Sequence, residues 1–119
     1  MSQESSDAGR ALMPRESLRL IQQNNSQSRF LLLDVRSPRE HEEGHIEGSA
    51  NLDFHSPDFM QELDRLEREK IYLVYCLVGV RSRKTLAAMK SLGFKEVYEI
   101  QGGIRAWHLE GLPVVRDKV

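Results

Sequence analysis

Cys76 is the residue in this chain best suited to nucleophilic chemistry. It is the only cysteine, and it ends an apolar run, Ile71-Tyr72-Leu73-Val74-Tyr75. The thiolate is the nucleophilic form of the side chain. A lone cysteine is most often a small buried hydrophobe, so its surroundings have to argue for more. The run before it reads as a strand buried in a parallel sheet, and ligands bind beyond the carboxyl ends of such strands. After Cys76, the short segment Leu77-Val78-Gly79-Val80-Arg81 leads into a helix predicted over Ser82 to Leu92. The unpaired N–H groups and positive dipole end of that helix face back towards the sulfur and favour charge on it. Arg81, Arg83 and Lys84 crowd the first turn, where cations oppose the dipole. Basic residues fit such a place if an anion sits in the loop. Arg83 and Lys84 read equally well as solvated charges, whereas Arg81 closes the loop and reads as functional.

A second pattern, His41-Glu42-Glu43-Gly44-His45, has the literal spacing of a zinc-protease helix. That chemistry needs a sustained helix with both histidines on one face. Pro38, Gly44 and Gly48 leave room for one or two turns, the flanks are charged, and His55 has no claim as a third ligand. No metal site is expected. His108 reads as a partly exposed surface histidine, Trp107 as core packing by its spacing from Ile104, and Tyr72 and Tyr75 as core residues of the strand.

The elements that must position Cys76 follow from periodicity. Pro14 opens a helix with Leu18 and Ile21 on one face, broken at Asn24-Asn25-Ser26. Phe30 to Val35 is a continuous apolar run and reads as a strand buried on both faces. A short acidic helix follows Pro38. Ser56-Pro57 is read as the start of a helix, with a capping hydroxyl and proline at the first position. Phe59, Leu63 and Leu66 form its apolar stripe. After the Cys76 loop, the next helix places Leu86, Met89 and Leu92 on one face and stops at Gly93. Glu96 to Ile100 alternates as a third strand. Gly102-Gly103 turns into a last helix, ended by Gly111 and Pro113. Strands alternating with helices predict an α/β domain with a mostly parallel central sheet flanked by helices.

Composition narrows the function classes. The chain has 119 residues, 39% apolar and 29% charged, which suits a globular domain. Residues 1–9 read as a flexible polar tail and 10–119 as a single domain. A net charge of −1 gives no reason to expect nucleic acid or an anionic membrane as partner. One cysteine rules out an internal disulfide or a paired-cysteine zinc site, and a lone thiol is most easily kept reduced in a cytoplasm. The apolar runs are too short to span a bilayer. Met1 to Asp7 has neither the basic nor the apolar segment of a secretory signal, so a cytoplasmic location is expected.

Cys76-Leu77-Val78-Gly79-Val80-Arg81-Ser82 resembles the active-site loop of the rhodanese family, whose pattern is Cys-x-x-Gly-x-Arg followed by Ser. Other segments resemble the family in the same order: Asp34-Val35-Arg36 with Glu40, Gly44-His45-Ile46 with Gly48 and Asn51, Gly93-Phe94, and Gly102-Gly103 with Trp107, Gly111 and Pro113. The resemblance covers roughly residues 14 to 115. It implies a rhodanese-like three-layer fold and a ping-pong sulfur transfer with no cofactor beyond a covalent persulfide on Cys76. Leu77, Val78, Gly79, Val80 and Ser82 would form the loop that cradles the persulfide with backbone N–H groups. Arg81 would steer a small anionic donor, and Asp34, Arg36 and Glu40 would support the loops beside it. The related phosphatases and arsenate reductases have a loop one residue longer, so the loop here suits one sulfur atom rather than a tetrahedral oxyanion.

The departures are informative. His41 stands where the family has an aromatic, Glu47 where it has proline and Ser49 where it has alanine. Leu77 occupies a loop position that is basic in many thiosulfate-using members, which makes thiosulfate a poorer donor and leaves open a protein persulfide in its place; the acceptor would be cyanide, another thiophile or a sulfur-acceptor protein. Two other readings share the same residues. One is a non-catalytic rhodanese-like binding or regulatory module, which would leave Cys76 unused. The other is a sulfur-delivery domain for a sulfur-carrier protein, normally fused to an adenylating domain. The chain's own Met1 and polar tail favour a free-standing protein.

Overall fold

The computed structural model describes residues 9–24 and 27–117. The expected tail up to residue 8, and the expected helix break at Asn25 and Ser26, lie outside the described residues. In chain order the elements are β1 (Arg10–Leu12), α1 (Pro14–Gln23), β2 (Phe30–Asp34), α2 (Pro38–Glu43), β3 (Ala50–Asn51), α3 (Phe59–Asp64), β4 (Ile71–Tyr75), α4 (Val80–Ser91), β5 (Glu96–Ile100) and α5 (Gly103–Leu109). The strands form one sheet in the order β1-β5-β4-β2-β3, with every neighbouring pair parallel. This is the α/β architecture with a parallel sheet between helices that the alternating pattern predicts.

β4 lies in the middle because its residues are apolar on both faces. Tyr72, Val74 and Cys76 point into one core layer with Leu33, Val35 and Val97, covered by Phe59 and Leu63 of α3 and Leu86 and Met89 of α4. Leu73 and Tyr75 point to the other face with Leu32 and Ile100, covered by Ile104 and Trp107 of α5 and flanked by Leu18 and Ile21 of α1. The two-residue period of a strand makes this division unavoidable once β4 has neighbours on both sides. Burying both faces removes Tyr75 almost entirely from water. Its hydroxyl is satisfied by accepting from the Ile46 N–H at 3.0 Å and by bonding Ser49 Oγ at 3.0 Å. Burial pushes the phenol above its ordinary pKa.

Four local expectations differ from the structure. The strands β1 and β3 are absent from the sequence reading, because pieces of three and two residues have no usable periodicity. They exist as strands only through pairing with β5 and β2. Gly9, counted in the tail, donates its N–H to Val97 at 2.8 Å and extends the β1 edge. The helix expected from Ser56-Pro57 begins only at Phe59, since Ser56 Oγ accepts from the Asp58 N–H and its carbonyl from the Phe59 N–H, closing a turn. Finally, α4 starts at Val80 rather than Ser82. Gly79 turns the chain with φ +114°, so Val80 and Arg81 already belong to the first helical turn.

Tyr75→Phe tests the packing of this centre. The substitution leaves the buried Ile46 N–H without its acceptor, and a loss of about 1–3 kcal/mol is expected in urea unfolding. A loss below about 0.5 kcal/mol would show that the hydroxyl is not what holds the Ile46 segment to the sheet.

Candidate active site

Cys76 follows directly on β4 and is 1% exposed. Its Sγ accepts the N–H of Gly79 at 3.1 Å and that of Ser82 at 3.4 Å. The second donor is in the first turn of α4, whose early N–H groups have no intrahelical partner. The positive end of the helix dipole therefore points at the sulfur. Such a nest suits a sulfur that becomes negatively charged or carries a charged second sulfur. Gly79 makes the turn possible, since its φ of +114° is rarely adopted by other residues.

The loop is clamped from the far side of the sheet. The Ile104 and Arg105 N–H groups at the start of α5 donate to the Cys76 and Leu77 carbonyls at 2.9 and 3.1 Å. The two chains approach so closely that a Cβ at Gly103 would overlap the Leu77 carbonyl and come within 2.6 Å of the Cys76 oxygen. Glycine at 103 is thus required by contact as well as by its φ of +68°. Leu77, Val78 and Val80 turn outward, 42%, 45% and 56% exposed, and form an apolar rim over a buried sulfur.

Arg81 does not stand free above the loop. Its Nη1 and Nη2 donate to Glu40 Oε1 and Oε2 at 2.9 and 3.1 Å. Glu40 also closes the N-terminus of α2: its Oε1 accepts from the Ser37 N–H at 2.9 Å while its own N–H donates to Ser37 Oγ at 3.2 Å. One carboxylate thus joins the start of α2 to the start of α4. The Arg81 bond, reinforced by the Ser37 N–H against partial burial, holds the Glu40 carboxyl well down, at about 2.

Asp34 and Arg36 lie deeper. Asp34 is fully buried, and its carboxylate accepts from Arg36 Nε and Nη2 at 2.9 and 2.8 Å and from the Arg36 N–H at 3.0 Å. Arg36 Nη2 also donates to the Gly44 carbonyl, and Asn51 Nδ2 donates to the Asp34 and Arg36 carbonyls at 3.0 Å. His41 Nδ1 lies 2.8 Å from Asp34 Oδ2, so the histidine found in place of an aromatic is tied to this pair. The His41 and His45 rings stack at 3.8 Å, and His45 Nδ1 bonds the His41 carbonyl. Their zinc-like spacing is a stacked pair, with His41 in the last turn of α2 and His45 beyond its end at Glu43, and no group of three or more candidate ligands is arranged for a metal among the described residues.

Residues 13–110 match the Rhodanese-like domain family. The chain belongs to that family. The rhodanese-like chain is 35% identical over 99 residues to "Probable adenylyltransferase/sulfurtransferase MoeZ" of Mycobacterium tuberculosis, covering 83% of this chain and 24% of that one. It is 35% identical to a tRNA uridine(34) hydroxylase of Legionella pneumophila, covering 90% and 42%. Among solved structures, a rhodanese-related protein of Thermoplasma volcanium superposes with a TM-score of 0.74 at 30% identity, covering 91% of this chain and 99% of that one. This rhodanese-like chain thus spans a quarter to two fifths of the curated relatives it matches. No helix among the described residues is long and apolar enough to cross a membrane.

Two site features were not singled out from the sequence. Gly103 was read as part of a turn and of the family's C-terminal pattern, not as a contact of the Cys76 loop. Glu99, 4% exposed, accepts the Ser82 hydroxyl at 2.7 Å directly behind the cysteine. A signal for Glu99 existed, since in an alternating strand it shares the inward face with Val97, where a charge is out of place.

Gly103→Ala should keep the sheet but displace the Cys76–Gly79 turn, cutting Cys76 alkylation and any sulfur loading at least tenfold. Normal rates in this variant would show that the clamp is not needed. Glu40→Gln tests the bridge between the helices. A carboxylate with a depressed folded pKa stabilises above its ordinary value of 4.5 and loses that contribution as pH falls towards 2. Urea unfolding should show the variant weaker by about 1–2 kcal/mol at neutral pH, with the gap closing below 4.5. A gap independent of pH would remove the charge from the explanation.

Proposed function

We propose that the protein is a sulfurtransferase that carries a sulfane sulfur on Cys76 as a persulfide. The observation that supports this most is the convergence of the Gly79 and Ser82 N–H groups on Cys76 Sγ. The Cys76 thiolate attacks the outer sulfur of a donor. A new S–S bond forms, the donor's own bond to that sulfur breaks, and the donor remainder leaves with the electron pair. A nucleophilic acceptor then attacks the terminal sulfur, and Cys76 departs as thiolate. No bound cofactor takes part in these steps, and the thiol has to stay reduced between them, as it would in a cytoplasm.

The donor favoured is a protein persulfide rather than thiosulfate. Arg81, the loop's own arginine, is occupied by Glu40, and the rim offers Leu77, Val78 and Val80. Apolar side chains held around a recessed sulfur suit contact with another protein better than capture of a doubly charged ion. The relative whose name joins adenylyltransferase to sulfurtransferase supports a sulfur-delivery variant of the same reading, in which the acceptor is a sulfur-carrier protein. The hydroxylase-named relatives contain this domain as less than half of their length, so their named activity is not carried over to this chain.

Sulfur loading tests the proposal. The protein is incubated with thiosulfate or with a persulfidated cysteine desulfurase, and intact mass is recorded before and after cyanide. The expected product is heavier by one sulfur, reverts with cyanide, is absent from Cys76→Ser and forms several-fold faster from the protein donor. No sulfur uptake from either donor would sink the assignment. Faster loading from thiosulfate would overturn the choice of donor.

A further inference from the structure

Behind the cysteine, the side chains of Cys76, Ser82 and Glu99 form a buried chain. The Cys76 thiol donates to Ser82 Oγ at 3.5 Å, and the Ser82 hydroxyl donates to Glu99 Oε1 at 2.7 Å. The three residues are 1%, 0% and 4% exposed. A hydroxyl has one proton to give. While Glu99 takes it, the Ser82 hydroxyl can only accept from the sulfur, so this group serves a protonated Cys76 and offers nothing to a thiolate, although the Ser82 N–H still donates to Sγ. The carboxylate's own charge adds to this, because like charges close together in a poorly solvated interior oppose each other.

The charges around the chain do not cancel this effect. On α4, Arg83 reaches the outer oxygen, Nε to Oε2 3.7 Å, but its side chain is 72% exposed and well solvated. Lys90 lines the same open cleft of about 350 Å³ beside Glu99, to which β1 contributes Ala11 next to Gly9. Arg81 is already paired with Glu40, and Asp34 with Arg36. Glu99 is therefore the carboxylate joined to the sulfur through the Ser82 hydroxyl.

Resting on the persulfide reading above, we infer that Glu99 is a positioning residue that acts through Ser82 to disfavour charge on Cys76 Sγ itself, and so favours the sulfur-loaded over the unloaded state. In the thiolate the charge sits on Sγ, next to this chain. In the persulfide it moves to the outer sulfur, one bond farther from Glu99. The same carboxylate thus makes free Cys76 less reactive towards stray electrophiles and makes Cys76 a poorer leaving group once loaded. Sulfur is retained until an acceptor arrives.

The test reads free and loaded cysteine separately. Iodoacetamide alkylation of Cys76 is followed against pH in the wild type, Glu99→Gln and Glu99→Asp, and discharge of the persulfide by cyanide is timed in the same proteins. Glu99→Gln should alkylate about tenfold faster at neutral pH, with the difference vanishing at alkaline pH where both cysteines are ionised, and should discharge faster by a similar factor. Glu99→Asp, which keeps the charge, should stay near the wild type. Equal or slower alkylation of Glu99→Gln, or an acceleration that persists at alkaline pH, overturns the inference. Should Glu99→Gln fail to fold, Ser82→Ala decides: faster alkylation supports the inference, and equal or slower alkylation means that Ser82 does not hold the sulfur protonated. A wild type that alkylates as expected but never takes up sulfur would instead defeat the persulfide reading.

Discussion

Two backbone N–H groups, those of Gly79 and Ser82, have to meet one sulfur atom, and the rest of the structure follows from holding the chain between Cys76 and Ser82 in that shape. The first end is set by β4, whose last residue pairs with Asp34 of β2 and cannot shift without moving the centre of the sheet. The second is set by α4, whose axis fixes where its first free N–H groups point. Between them only a glycine with positive φ connects the two directions. The start of α5 then binds the Cys76 and Leu77 carbonyls, so the turn is held through its carbonyls as well as through the sulfur.

Charge is distributed around that turn in layers. Farthest in, the Asp34–Arg36 pair is buried, with its remaining hydrogen-bonding capacity directed to Gly44 and His41. Breaking one partner of such a pair leaves an uncompensated charge, which costs more than the intact pair contributes. The pair therefore fixes loop geometry more than it adds stability. The Glu40–Arg81 bridge does a similar job nearer the surface and links two helix starts. Glu99 is linked to the sulfur through the Ser82 hydroxyl.

The domain is the unit that the family shares, and in the curated relatives it is a fraction of a longer chain. Its apolar rim of Leu77, Val78 and Val80 fits that setting, since sulfur would be handed between protein surfaces rather than drawn from solution.

The three five-residue strands, the face of α4 and the position of Cys76 at a strand end were all legible in the sequence, because they rest on local periodicity and on one residue's place in a run. Pro14 and Gly93 mark helix ends by their own backbone limits, and the motif order was enough to imply the family. The short edge strands were not legible: three residues at Arg10–Leu12 and two at Ala50–Asn51 carry no pattern until a neighbour pairs with them. The same holds for Ser56-Pro57, whose capping chemistry could begin a helix or close a turn. Arg81 could be recognised as a loop residue, but its engagement with Glu40 joins positions 41 residues apart. The chain by itself determined which atom could be the nucleophile and which segments could carry it. Only the packed structure decided which charges face that atom, because a hydrogen bond such as Ser82 to Glu99 depends on how a helix and a strand distant in sequence come to lie against each other.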